Sequence, residues 1–165
     1  MRLYLSSENV GNYSDILLNM VGKNRTVAYI GNAKDYDEER GREKIPQHRE
    51  QFEELGFKFT EFDLRNYFGE KKVSESDLEG FGLVWASGGN TFLLRRALKD
   101  SGFDEVLIKL LHRDVLVYGG SSAGSIVATP SLHGTENGDN PDFVQKVYGK
   151  QIYWQGLNLI EKYLI

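Results

Sequence analysis

The chain has 165 residues, one domain's worth, with 40% hydrophobic and 27% charged residues, a net charge of −4 and a pI near 5.4. That balance excludes a disordered chain and a collagen-like repeat, and the lack of a basic stripe argues against nucleic acid as a partner. Zero cysteines exclude a thiol nucleophile, a cysteine-based metal site and redox chemistry, and they fit a cytoplasmic location.

In chain order, Arg2–Leu5 reads as a short strand and Ser14–Gly22 as an amphipathic helix with Ile16, Leu17, Met20 and Val21 on its apolar face. Thr26–Ile30 is a second apolar strand, stopped by Gly31-Asn32. A long polar helix follows from about Asp37 to Leu55, and Pro46 is expected to split it, because proline kinks a helix interior. Phe57–Leu64 alternates apolar and polar, which suits a strand near the sheet edge, and Ser74–Glu79 suggests a short helix before the strand Gly82–Ala86. Gly88-Gly89-Asn90 opens a helix through Leu98, Phe103–His112 is another, and Val115–Tyr118 is a short buried strand. A helix from about Ser125 stops at Pro130, Leu132–Phe143 reads as a loop, and Gln151–Trp154 as a strand. The N-terminus turns polar after Leu5, unlike a signal peptide, and no apolar run nears the roughly 20 residues of a membrane helix. Strands alternating with helices predict a single α/β domain with a mostly parallel sheet covered on both faces.

Ligands of such sheets bind in the crevice beyond the strand C-termini. Two glycine-rich turns fall there. Gly120-Ser121-Ser122-Ala123-Gly124 fits G-x-S-x-G between an apolar run and a helical one, the setting in which a sharp turn lifts a serine hydroxyl above the sheet. Ser122 is the candidate nucleophile, with Ser121 and Ser125 as turn and cap residues; the competing reading is a plain glycine turn with a capping serine. Ser87-Gly88-Gly89-Asn90-Thr91-Phe92 lacks both the dinucleotide fingerprint and the Walker lysine, so a nucleotide cofactor is not expected. It reads either as a helix start capped by Asn90 or Thr91, or as an oxyanion hole in which N–H groups of Gly88 or Gly89 and of Ala123 share one carbonyl oxygen.

These two turns, in this order, resemble the dipeptidase E (aspartyl dipeptidase) and cyanophycinase family of serine peptidases. The likeness extends to Leu3-Tyr4-Leu5-Ser6-Ser7, Tyr29-Ile30-Gly31-Asn32-Ala33, Ser101-Gly102-Phe103, Ala128-Thr129-Pro130-Ser131-Leu132 and Trp154-Gln155-Gly156-Leu157-Asn158-Leu159-Ile160. The resemblance implies a three-layer α/β/α sandwich similar to class I glutamine amidotransferases, a Ser-His-Asp/Glu relay, and a preference for short peptides that begin with aspartate.

A serine needs a base, usually a histidine oriented by a carboxylate. His48 lies in a charged helix and His112 at a helix end, so both read as surface residues, while His133 sits in the loop eleven residues after Ser122. In the family the catalytic histidine follows a segment like Gly156–Ile165, where this sequence stops. A truncated peptidase, inactive as it stands, is therefore the expectation, with a naturally short relative as the alternative. The resemblance places the relay acid in the loop after Pro130, with Asp139 the first choice and Glu136 and Asp142 behind it. That acidic loop lacks the spacing of an EF-hand, so no metal is expected.

The leading expectation is hydrolysis of Asp-X dipeptides through an acyl-enzyme on Ser122. A general α/β serine esterase and a non-catalytic relative keeping the fold are the alternatives. Arg95 and Arg96 read as a surface pair. A chain ending before its last sheet elements is expected to leave Tyr148, Ile152, Tyr153, Trp154, Leu157 and Ile165 exposed, with a homodimer as one way to cover them.

Overall fold

The computed structural model describes residues 1–161, apart from the side chains of Glu38, Arg40 and Arg42. Among the described residues, β1 (Arg2–Ser6), β2 (Thr26–Ile30), β3 (Lys58–Glu61), β4 (Leu83–Ala86) and β5 (Val117–Ser121) form one all-parallel sheet in the order β1-β5-β4-β2-β3. Its helices are α1 (Ser14–Val21), α2 (Glu38–Glu43), α3 (Ile45–Glu54), α4 (Thr91–Asp100), α5 (Phe103–His112), α6 (Ala123–Ile126) and α7 (Phe143–Tyr148).

Successive strand residues face opposite sides, so each interior strand feeds two cores. Val27, Tyr29, Leu83, Trp85 and Val117 pack with Leu17 and Val21 of α1 and Phe52 of α3. Ala28, Ile30, Val84, Ala86 and Tyr118 pack on the other side with α4, α5 and the segment after α6. The result is the expected three-layer α/β/α arrangement, with β3 at one sheet edge as its alternating pattern suggested.

Several boundaries move for identifiable reasons. The long polar helix breaks at Lys44, and Pro46 falls in the first turn of α3, where its missing N–H has no intrahelical partner to lose. The 74–79 segment tightens into a single 3₁₀ turn, Glu75–Asp77, closed by a reciprocal cap between Ser74 and Asp77. β5 begins two residues later than predicted and runs through Gly119 and Gly120, while Val115 stays outside with half its surface exposed. Gly119 belongs in the strand because a Cβ there would stand 2.4 Å from the Trp85 ring. Gln151–Trp154 is not a strand: its neighbourhood holds an isolated antiparallel bridge, Ser131 to Gln155. Residues read as loop and tail contain α7 instead.

The expected exposure of the last segment is also corrected. Residues 155–160 fold back along the segment that follows α6 through Gly156 N–H to Pro130 O, Leu157 N–H to Val127 O and Leu159 N–H to Ala128 O. Leu157 is therefore buried in the α4–α5 core, against which Tyr148, Ile152 and Trp154 also pack, while Ile165 lies outside the described residues. Arg95 is no surface residue either. It is 3% exposed, donates to Asp104 Oδ2 at 3.0 Å and to Gln155 O at 2.7 Å, and lies over the Tyr153 ring.

Candidate active site

The peptide that ends β5 turns sharply at Ser122, whose φ of 50° and ψ of −113° no ordinary strand or helix residue adopts. Such a conformation costs about 1–3 kcal/mol and persists only where neighbours over-determine it. They do so here. Ser122 N–H donates to Ser6 O at 3.1 Å, the Ser125 hydroxyl lies 2.7 Å from Ser6 O and 2.8 Å from Gly120 O, and Tyr118 OH donates to Gly124 O at 2.7 Å. A Cβ on Gly124 would lie 2.0 Å from Ala86 O, so only glycine lets α6 start this close to β4. The Ser122 side chain is exposed, and its hydroxyl has no hydrogen-bond partner among the described residues.

The turn after β4 runs beside that hydroxyl. A Cβ built on Gly88 would lie 3.1 Å from Ser122 Cβ and 3.6 Å from Ser122 Oγ. Gly89 has a φ of 145° and backs onto Ala33, whose carbonyl a Cβ would approach to 2.4 Å. Asn90 N–H donates to Ala33 O at 2.7 Å, and the Asn90 side chain caps α4 by accepting from Leu93 N–H at 3.0 Å. The N–H groups of Gly88, Gly89 and Ala123 find no acceptor among the described residues. An accessible hydroxyl bordered by unpaired backbone donors is the arrangement that attack on a carbonyl requires, the donors being free for the oxygen that gains charge.

The acidic loop meets the same turn from the other side. Asp139 Oδ2 accepts from Thr91 N–H at 2.9 Å and from the Thr91 hydroxyl at 2.5 Å, and Asn90 Nδ2 donates to Asn140 O at 2.9 Å. Glu136 bends back on its own loop and accepts from Gly134 N–H at 2.6 Å; its own backbone N–H, and then that of Gly134, hold its carboxyl below the usual range, and Asp142 is exposed at the start of α7. Asn90 and Thr91 were legible as helix-cap types, but their partners lie about fifty residues away, beyond any local pattern.

None of the three histidines hydrogen-bonds to Ser122. His133 is exposed and lies flat on Trp154, ring centroids 4.4 Å apart. His112 ends α5, which leads into the N-terminal end of β5, away from the turn. His48, expected at the surface, is half-buried against Tyr29 and accepts from Lys34 Nζ at 3.2 Å. Burial and the ammonium groups of Lys34 and Lys44 push its pKa down to about 4, while burial and Lys44 bring Lys34 down to about 8.

Next to this pair, beyond β2 and β3, lies a second polar group. Asn32 Nδ2 donates to Asp35 Oδ2 at 2.9 Å and Asp63 Oδ1 at 3.0 Å, and its oxygen accepts from Leu64 N–H at 3.1 Å. Arg65 grips Asp63 at 2.7–3.1 Å, and Tyr148 OH donates to Asp35 at 2.5 Å. Burial alone would raise the Asp63 carboxyl, but Arg65 and Asn32 together hold it at about 2. Among the described residues no cluster of three metal-ligating side chains occurs, and no helix is long and apolar enough to cross a membrane.

Residues 4–165 match the model of peptidase family S51. An uncharacterized peptidase of Listeria innocua is 25% identical over 154 residues, covering 90% of this chain but 66% of that protein. The chain thus spans just under two thirds of that relative's length. A structure described as a peptidase E protein of Listeria monocytogenes superposes with a TM-score of 0.71 at 23% identity, covering 96% of this chain and 75% of the other. A peptidase from an acI-B1 Actinobacterium gives a TM-score of 0.65 at 17% identity over 96% and 64% of the two chains. At those identities the two structures establish the fold alone.

Proposed function

Because this chain belongs to peptidase family S51, we propose that it is a serine peptidase whose nucleophile is Ser122. The observation that carries the reading is the strained, exposed and unpartnered Ser122 next to the unpaired N–H groups of Gly88, Gly89 and Ala123. In the proposed reaction Ser122 Oγ attacks the peptide carbonyl carbon as an imidazole takes its proton. The carbonyl oxygen, now negative, accepts from the three backbone N–H groups. The amine leaves with the proton returned by the imidazole, and water then hydrolyses the acyl ester by the same route. Asp139 is the carboxylate proposed to orient that imidazole. The proposed substrates are short cytoplasmic peptides, Asp-X dipeptides first among them.

The imidazole is the open place in this scheme. His48, His112 and His133 are all occupied or remote, so the 165 residues by themselves are proposed to turn over slowly. Loss of a relay member leaves roughly 10³–10⁴-fold catalysis over water from binding and the oxyanion hole. The same observation favours a second reading, a relative that keeps the fold without catalysis.

A fluorophosphonate probe, with free imidazole added as base, separates the two. The peptidase reading expects modification of the peptide containing Ser122, enhanced by imidazole, and faster cleavage of Asp-X dipeptides than of p-nitrophenyl esters. No modification with or without imidazole would leave the non-catalytic reading; preference for the esters would make it an esterase.

A further inference from the structure

We propose that Thr91 is a positioning residue: through Asp139 it locks the acid-bearing loop to the turn that carries the oxyanion donors, an inference that rests on the serine-peptidase reading above. Thr91 is fully buried, and both of its donors, N–H and hydroxyl, end on the same oxygen, Asp139 Oδ2. Two donors on one carboxylate oxygen restrict the group's rotation and leave Oδ1 without a partner among the described residues. That is the condition a carboxylate must meet to receive an imidazole N–H in one orientation.

The hydroxyl of Thr91 is not needed to start its helix. Asn90 already does that by accepting from Leu93 N–H, and the Asn90 amide is itself tied to Asn140 O, the residue after Asp139. Consecutive residues of one turn therefore clamp consecutive residues of the loop. The far end of the loop is anchored separately, by Phe143 stacked on Tyr36 at 5.0 Å and by Tyr148 bonded to Asp35. Held at both ends, the loop transmits the position of Asp139 to Gly88 and Gly89, which precede Thr91 by three and two residues. Oxyanion donors and acid then move as one body, and loosening the clamp misplaces both.

Thr91→Val tests this, since it keeps the N–H bond and the volume while deleting the hydroxyl. The readouts are the fluorophosphonate labelling rate of Ser122 with imidazole present, and amide hydrogen exchange across the whole 165-residue chain. Labelling is expected to slow roughly 10- to 100-fold, the scale of an ångström-size misplacement of reacting groups. Exchange in residues 132–143 is expected to speed up while β2 and β4 stay protected. Thr91→Ser should restore both. Should Thr91→Val fail to fold, Asp139→Asn is expected to give the same pair of changes. Faster loop exchange with an unchanged labelling rate would overturn the proposal and leave the peptidase reading standing. An unlabelled wild-type chain would overturn both.

Discussion

The two polar groups on the C-terminal edge of the sheet are built from different residues and close in opposite ways. Beyond β2 and β3, Asn32, Asp35, Asp63, Arg65 and Tyr148 answer one another's donors and acceptors. Beyond β4 and β5, the Ser122 hydroxyl and three backbone N–H groups have no partner among the described residues. Buried polar groups are normally satisfied internally. A closed network therefore stabilises a fold, and in the proposed function the open set of donors around a strained serine is left for a ligand. The number of charged residues alone would point to the closed end of the edge.

The comparison can be broken or sharpened by substitution. The largest effect expected is at Ser122: Ser122→Ala should abolish fluorophosphonate labelling while the denaturant midpoint stays put or rises, since alanine accepts the same backbone no worse than serine. Gly89→Ala should come next, with a stability loss of about 2 kcal/mol or more, because a side chain is strained at a φ of 145° and collides with Ala33 O. Labelling should fall with it. A Gly89→Ala protein that melts like wild type would show the turn to be looser than its contacts imply.

At the closed end, Asn32→Ala should cost about 1–3 kcal/mol in urea unfolding, since it strips a buried acceptor from Leu64 N–H. The labelling rate of Ser122 should change less than about twofold, and a tenfold drop would mean that the two ends are coupled.

The smallest effect is that of pH on His48. Its folded pKa, near 4, lies below the imidazole's ordinary 6.5, so the unfolded chain binds a proton that the folded chain refuses. Stability is therefore lost as pH falls from about 6.5 to 4, by roughly 1 kcal/mol once solvent screening of a half-exposed ring is allowed for. Denaturation midpoints across that window, compared with those of His48→Gln, should show a shallower slope in the variant.

The strands were legible because a doubly covered parallel sheet needs near-continuous apolar runs, and Thr26–Ile30 and Leu83–Ala86 stand out as such. β5 was misjudged where its glycines looked like a turn. Gly119 is small because Trp85 lies over it, a contact between strands that no local pattern records. α7 was missed because six residues, Phe143–Tyr148, are too few to display a helical period between Pro141 and Gly149. At the site, the two glycine turns could be read from spacing, since their backbone geometry is local. The clamp of Thr91 on Asp139, the bracing of Ser125 against Ser6 and the burial of His48 are tertiary contacts between distant segments. Residue type alone placed His48 at the surface, and its packing against Tyr29 and Lys34 half-buries it.

The register Ser6 to Ser121 has a consequence for how the chain acquires its shape. β1 precedes the other described strands in the chain, yet its sheet partner is β5, and the bonds from Ser6 to Ser122 and Ser125 close the longest loop among those strands. On a ribosome, β1 must wait without its neighbour until β5 has emerged, after all the other described strands, whereas β2, β3 and β4 can pair as they appear. Loop-closure entropy grows only slowly with length, but it is spent before the contacts repay it, so such pairings form late. The Ser122 elbow is thus completed last. In refolding, reactivity of that serine should emerge in the slowest phase, after β2, β3 and β4 have already paired.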